Sequence, residues 1–197
     1  MAAYIFQQLA KEGERANVRP NTRQSVKWFR NQTSKVGKVD NRELLKDTAN
    51  MQSKMSKYSI GSMYHFLYNP KHRKTLPYYD RFPLIFVVDI YTDGFLGINL
   101  HYLPPMLRAV LMNGLYDITM KGNNDNKKLA LSYNMLKRAS KFKYFEPCVK
   151  RYLNGHVTSR FLKIPSDHWD IAVFMPTERF VKASKKTVWS ESRKMVS

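Results

Sequence analysis

Three aspartates, Asp80, Asp89 and Asp93, fall around one predicted turn. Clustered carboxylates are what a nuclease uses to hold the divalent ions that stabilise its attacking and leaving oxygens. The pattern here is incomplete. No Glu-x-Lys or Asp-x-Lys follows the adjoining strand. Two of the aspartates also have simpler local roles, Asp80 capping the Tyr78-Tyr79 loop and Asp93 serving as the polar member of a turn.

The remaining candidates for chemistry are sparse. Cys148 follows Pro147 at a predicted helix start, where the dipole could lower a thiol pKa, but Val149 and Leu153 beside it read as core. His65, His72, His101, His156 and His168 make no tight-spaced pair, so no zinc site is indicated. No GxxxxGK[ST] loop is present to grip a nucleotide phosphate. The reading is a non-enzymatic chain with no cofactor and no metal.

Cations carry the positive case. Lys71, Arg73 and Lys74, with His72 among them, form a loop beside an aromatic strand. Lys137, Arg138 and Lys141 precede Tyr144 and Phe145, and Lys150 and Arg151 follow. A further basic set, Lys182, Lys185, Lys186, Arg193 and Lys194, lines the last segment. Such side chains hold phosphates without reading sequence, and nearby aromatics can stack on unpaired bases. The eight residues Lys71, Arg73, Lys74, Lys137, Arg138, Lys141, Lys150 and Arg151 are the candidate phosphate contacts to double-stranded DNA. No helix carries the Arg, Asn and Gln set of a base reader, so sequence specificity is not indicated.

Composition agrees with that reading. Across 197 residues, 34 Lys and Arg stand against 15 Asp and Glu, a formal net charge of +19. An excess of this size repels itself in the compact state and draws polyanions. A membrane is the weaker partner, because no run approaches the roughly 20 apolar residues of a spanning helix. The opening MAAYIFQQLAKEGER is too short in apolar length for a signal peptide. One cysteine allows no internal disulfide framework, so a reducing interior is the expected place of synthesis and assembly.

The elements that must position these residues divide at about residue 57. Residues 1–57 read as a basic helical arm for assembly or DNA contact. One helix is expected from about Thr22 to Lys35, with Val26 and Phe29 on one side. A second is capped by Asn41, with Glu43 in its first turn and a narrow stripe of Leu44, Leu45, Thr48, Met51 and Met55. Residues 58–197 read as a compact domain. Strands are expected over Ser62–Tyr68, Phe82–Ile90 and Phe95–Tyr102, the last two joined as a hairpin by Thr92-Asp93-Gly94. Pro104-Pro105 opens a helix over Met106–Tyr116 that presents Leu107, Val110, Leu111, Leu115 and Ile118. Further helices are expected over Lys128–Lys141, from Pro147 towards Asn154-Gly155, from Ser166 through Phe174, and within Thr177–Val196. The fold class is α+β: a small antiparallel β-sheet or partly open barrel covered by helices.

Two long strings carry a resemblance. MYHFLYNPKHRKTLPYYDRFPLIFVVDIYTDGFLGINLHYLPPMLRAVLM and FEPCVKRYLNGHVTSRFLKIPSDHWDIAVFMPTERFVKASKKTVWSESR resemble the DNA end protectors of T4-like tailed phages, over roughly residues 62–193. The most distinctive string is Tyr78 to Pro83, read as a rigid aromatic loop in which Arg81 pairs with Asp80 or a partner. The resemblance implies a virion protein that caps packaged DNA ends against host exonuclease, beside other virion proteins, with a homo-oligomer among the assemblies it allows. It implies no catalytic residue. The alternative is a structural neck, tail or baseplate subunit whose charge faces acidic neighbours.

Overall fold

The structure, a computed structural model, describes residues 2–46, 51–52, 58–120 and 145–195. The expected helix over Lys128–Lys141, with Lys137, Arg138 and Lys141, lies outside the described residues. No described helix is long and apolar enough to cross a membrane.

The centre is an open antiparallel sheet. It consists of β1 (Met51–Gln52), β2 (Met63–His65), β4 (Leu84–Tyr91), β5 (Gly94–Asn99), β6 (Val149–Leu153) and β7 (Phe161–Ile164), in the order β1-β7-β2-β4-β5-β6. A separate two-stranded ribbon joins β3 (Tyr79–Asp80) to β8 (Phe180–Val181). Of the two architectures expected, the open sheet is the one formed. The β4–β5 hairpin follows from its sequence: apolar runs flank Thr92-Asp93, and Tyr91 pairs with Gly94 across the turn.

The continuous LIFVV run of β4 is explained by burial on both faces. Leu84, Phe86 and Val88 enter a large core with Met63, Ile98, Leu162 and Ile164, while Ile85 and Val87 enter an aromatic core with Tyr64, Phe66, Phe95, Tyr152 and Phe161. Helices cover the larger core. They are α1 (Ala2–Arg15), α2 (Arg23–Thr33), the one-turn α3 (Asn41–Leu44), α4 (Pro105–Met120), α5 (Trp169–Phe174) and α6 (Lys185–Lys194).

Four expectations are corrected. Residues of the N-terminal segment are not set apart from the core: Phe6, Leu9, Val18, Phe29, Leu44 and Leu45 are buried in the same cluster as the sheet residues. Ser25 on α2 donates from Oγ to Asp170 Oδ2 on α5 at 2.5 Å, which ties the segment down by a polar link as well. The cap of α3 is Asp40 rather than Asn41, its carboxylate accepting from the backbone of Arg42 and Glu43. The helical stripe stops early, because Met51 and Gln52 pair as strand with Leu162 and Phe161.

The fourth correction matters most for function. Residues after Pro147 form β6, not a helix, and pair along β5 from Val149↔Ile98 to Leu153↔Gly94. Pro147 sits instead in a 3-10 turn over 145–148. Long-range pairing and the burial of Tyr152 outweigh local helical spacing.

On α4 the inward residues include Arg108, which is fully buried, while Val110 faces outward. The Arg108 guanidinium donates to Leu103 O, Val173 O and Glu178 Oε2. A buried charge is tolerable only with such partners, and here it fastens α4 to α5 and to the approach to α6.

Candidate nucleic-acid interface

The KHRK loop is held from several sides. Asn69 exchanges backbone and side-chain bonds with His156, and Arg73 Nη1 donates to Asn69 Oδ1 at 3.0 Å. Lys182 adopts a left-handed backbone, φ 71°, and its Nζ donates to Lys74 O at 2.8 Å and Leu76 O at 2.9 Å. Lys182, one of the basic residues of the last segment, thus acts as a clamp on the loop.

This loop, the Tyr78-Tyr79 segment and β6 enclose a groove of about 490 Å³. Lys71 and His72 of the loop and Lys150 and Arg151 of β6 are among its lining residues. Tyr68, Tyr78, Tyr79, Tyr102 and Tyr152 supply its walls. Burial raises the phenol pKa of Tyr68, Tyr102 and Tyr152, and burial with a hydrogen bond to Glu191 pushes Tyr78 up to about 12. Tyr68, Tyr78, Tyr102 and Tyr152 are therefore neutral at physiological pH.

The cations differ in how far they are committed. Lys150 is half-buried, and its Nζ lies 4.4 Å from the centre of the Tyr102 ring. Loss of water around it pulls its pKa below the ordinary lysine range. Arg151 pairs with Asp93 and stacks 4.1 Å from the centre of the Tyr91 ring. Lys71, Arg73 and Lys74 are exposed. Of the sequence-predicted set, Lys71, Lys150 and Arg151 line the groove, and Arg73 and Lys74 project from the same loop without lining it.

The one carboxylate in the lining, Asp80, is committed inward. His101 Nδ1 lies 2.6 Å from its Oδ2, Asn99 Nδ2 donates to the same oxygen at 3.1 Å, and Phe82 N donates to Oδ1 at 3.2 Å. Burial works against its ionisation, but His101 and these hydrogen bonds prevail and hold the carboxyl below its usual range. The expected pairing of Arg81 with Asp80 does not form, because Asp80 is buried and Arg81 is exposed. Across the β3–β8 ribbon lies a second depression, about 540 Å³, lined by Lys38, Arg42, Arg81 and Arg179.

Among the described residues, no three His, Cys, Asp or Glu side chains come together to hold a metal ion. Asp89 accepts from its own neighbour Ile90 N, and Asp93 from Arg151, so the three aspartates do not converge. Cys148 is buried, and burial pushes its thiol up rather than down.

Sequence reasoning missed the convergence of Tyr102 and Tyr152 on the loop, and the Asp80–His101 link beneath. The available signal was the density of tyrosine around KHRK, in FLYNP before it and LPYYD after it.

An open antiparallel sheet covered by helices, with a groove lined by cations and tyrosines beside β6, defines an α+β protein. The family model described as the phage T4 terminal DNA protecting protein matches residues 5–195, and the chain belongs to that family. The match takes in the N-terminal helices, which the sequence resemblance left out. No curated protein and no solved structure matches the chain.

Proposed function

We propose that this protein binds the ends of packaged DNA in the phage particle and shields them from host exonuclease by occupying them, without chemistry on the DNA. The observation that carries this reading is the groove, in which Lys71, Lys150 and Arg151 meet around tyrosines and the one lining carboxylate is turned inward. Family membership supplies the substrate, DNA termini. Lys71, Arg73, Lys74, Lys150 and Arg151 are the proposed phosphate contacts, with Lys137, Arg138 and Lys141 as further ones. Cations at this density bind any duplex through its backbone.

The test is survival of linear duplex against a processive exonuclease with Mg²⁺, with and without the purified protein. Protection is expected, and it should weaken in a Lys71→Ala, Arg73→Ala, Lys74→Ala variant that melts like the parent. Equal survival with and without protein would overturn the reading in favour of a structural subunit. Metal-dependent cleavage in a control lacking exonuclease would overturn it in favour of a nuclease.

A further inference from the structure

The groove is the wrong size for a double helix and the right size for one nucleotide. Its volume of about 490 Å³ lies within the roughly 300–1,000 Å³ of small-molecule sites. Pro70, Leu76 and Pro77 line it together with Tyr78 and Tyr79, whose partly exposed rings give a flat base a surface on which to stack whatever its identity.

The placement of charge is as specific. Lys150 Nζ has the Tyr102 ring face as its close partner, and among the described residues no carboxylate forms an ion pair with it. A half-desolvated ammonium without a counter-anion is costly, and an anion entering the groove would relieve that cost. Lys71, exposed on the KHRK loop, lines the same groove. Arg151, paired with Asp93 and stacked on Tyr91, is left to the duplex backbone rather than to the terminal nucleotide.

We propose that this groove receives the unpaired terminal nucleotide of a DNA strand, its base against Tyr78 and Tyr79 and its phosphate held by Lys150 and Lys71. The inference rests on the end-shielding reading and adds that the terminus is gripped as single strand. A frayed or overhanging end is therefore the preferred ligand, and the duplex behind it is held through phosphates alone.

The experiment uses the full chain and a duplex whose short overhang ends in 2-aminopurine, a base whose fluorescence falls on stacking. Binding is followed separately by anisotropy of a dye at the far end. Saturating protein should quench the terminal base severalfold, and the overhang should bind at least tenfold more tightly than a blunt duplex of equal length. Lys150→Met, which keeps the stem packed, and Lys71→Met, on an exposed loop, should each abolish the quenching. An unquenched terminal base at saturation would overturn the proposal, as would quenching unchanged in both variants. If blunt ends are protected from exonuclease while the terminal base stays bright, the groove inference fails and end-shielding stands. Quenching without protection would retain the groove and remove the shielding.

Discussion

His101 Nδ1 lies 2.6 Å from Asp80 Oδ2, in a position that side-chain exposures of 0% and 1% seal from solvent. On the other side, His101 Nε2 lies 2.9 Å from Thr177 Oγ1. An acid, an imidazole and a hydroxyl in line form the chain used to activate a nucleophile. Here Thr177 is also buried, at 2% exposure. The line is a strut. It fixes the β3–β8 ribbon to the 3-10 turn at Leu100–Tyr102, and so sets Tyr78, Tyr79 and Tyr102 around the groove.

Breaking that strut should unfold before it inactivates. Asp80→Ala takes the shared acceptor away from His101 Nδ1, Asn99 Nδ2 and Phe82 N; at about 1–3 kcal/mol for each buried polar group left short of a partner, it is expected to cost roughly 3 kcal/mol or more by urea melting. Thr177→Val, which strands one buried hydrogen bond, should cost about 1–3 kcal/mol. Any loss of end protection should track the melting midpoint. Full stability with lost protection would give Asp80 a direct role instead.

Acid should destabilise the protein before its carboxylates titrate. His65 is buried, with Nδ1 donating to Pro83 O at 3.1 Å and Nε2 unpartnered. Burial lowers its pKa from 6.5 to about 3. Between those values the unfolded chain takes up a proton that the folded chain refuses. The contribution is therefore fully present above pH 6.5 and declines by about 1.4 kcal/mol per pH unit as pH falls towards 3. Asp80 and Glu178, both held below the usual carboxylate range, add losses of the same sign further down. Urea midpoints from pH 8 to 4.5 should show this slope, and His65→Gln should flatten it above pH 5. Parallel curves would rule His65 out as the source.

Gly94 is required by the edge strand beside it. A Cβ there would stand 1.9 Å from Tyr152 O, a backbone atom of β6. Gly94→Ala must displace the strand that carries Lys150 and Arg151, at a cost of about 1–3 kcal/mol or more for overpacking. DNA affinity should fall with it. Gly155→Ala, which meets nothing within 4 Å, is the control and should be silent in both assays.

What the sequence disclosed follows the range of the interactions involved. Thr92-Asp93-Gly94 between apolar runs is a local signal, and the β4–β5 hairpin stands where it pointed. β6 was hidden because Val149 and Leu153 have helical spacing and Pro147 resembles a helix start, whereas its partner β5 is distant in the chain. The groove was half legible: KHRK and Lys150-Arg151 stood out as charge, but only topology brings Tyr102 into the same lining. The division at residue 57 followed a real change of composition. A thin apolar stripe does not reveal whether its partner is another subunit or α5 of the same chain.

That last point changes the expected behaviour of a truncation. Phe29 on α2 is 3% exposed within the main core, and Asp170 loses Ser25 and Asn21 as donors when the segment is removed. Deleting residues 1–46 should abolish the cooperative melt, and Phe29→Ala alone should cost about 3–5 kcal/mol. A truncated protein that melts cooperatively near the parent's midpoint would restore the segment as a separable arm. Its role in assembly or DNA contact is then a matter for its exposed cations, such as Lys27 and Arg30.

Salt should separate the two parts of DNA binding. With about six phosphates neutralised, affinity for an unrelated duplex should fall roughly 10³-fold between 50 and 200 mM salt, because each contact releases condensed counterions. Replacing Lys71, Arg73 and Lys74 together with Ala removes up to three such contacts, so the slope of log affinity against log salt should shrink by about 2–3. Lys182→Ala acts differently. Its ammonium is spent on Lys74 O and Leu76 O, so the change frees the loop while leaving the loop's cations in place. The salt slope should then persist while affinity drops at every salt concentration, since binding must first order the loop. Titrations of two unrelated duplexes across that range measure both effects. A flat salt response, or a strong preference for one sequence, would contradict electrostatic backbone binding. A slope lost in Lys182→Ala would show that residue to be a phosphate contact rather than a clamp.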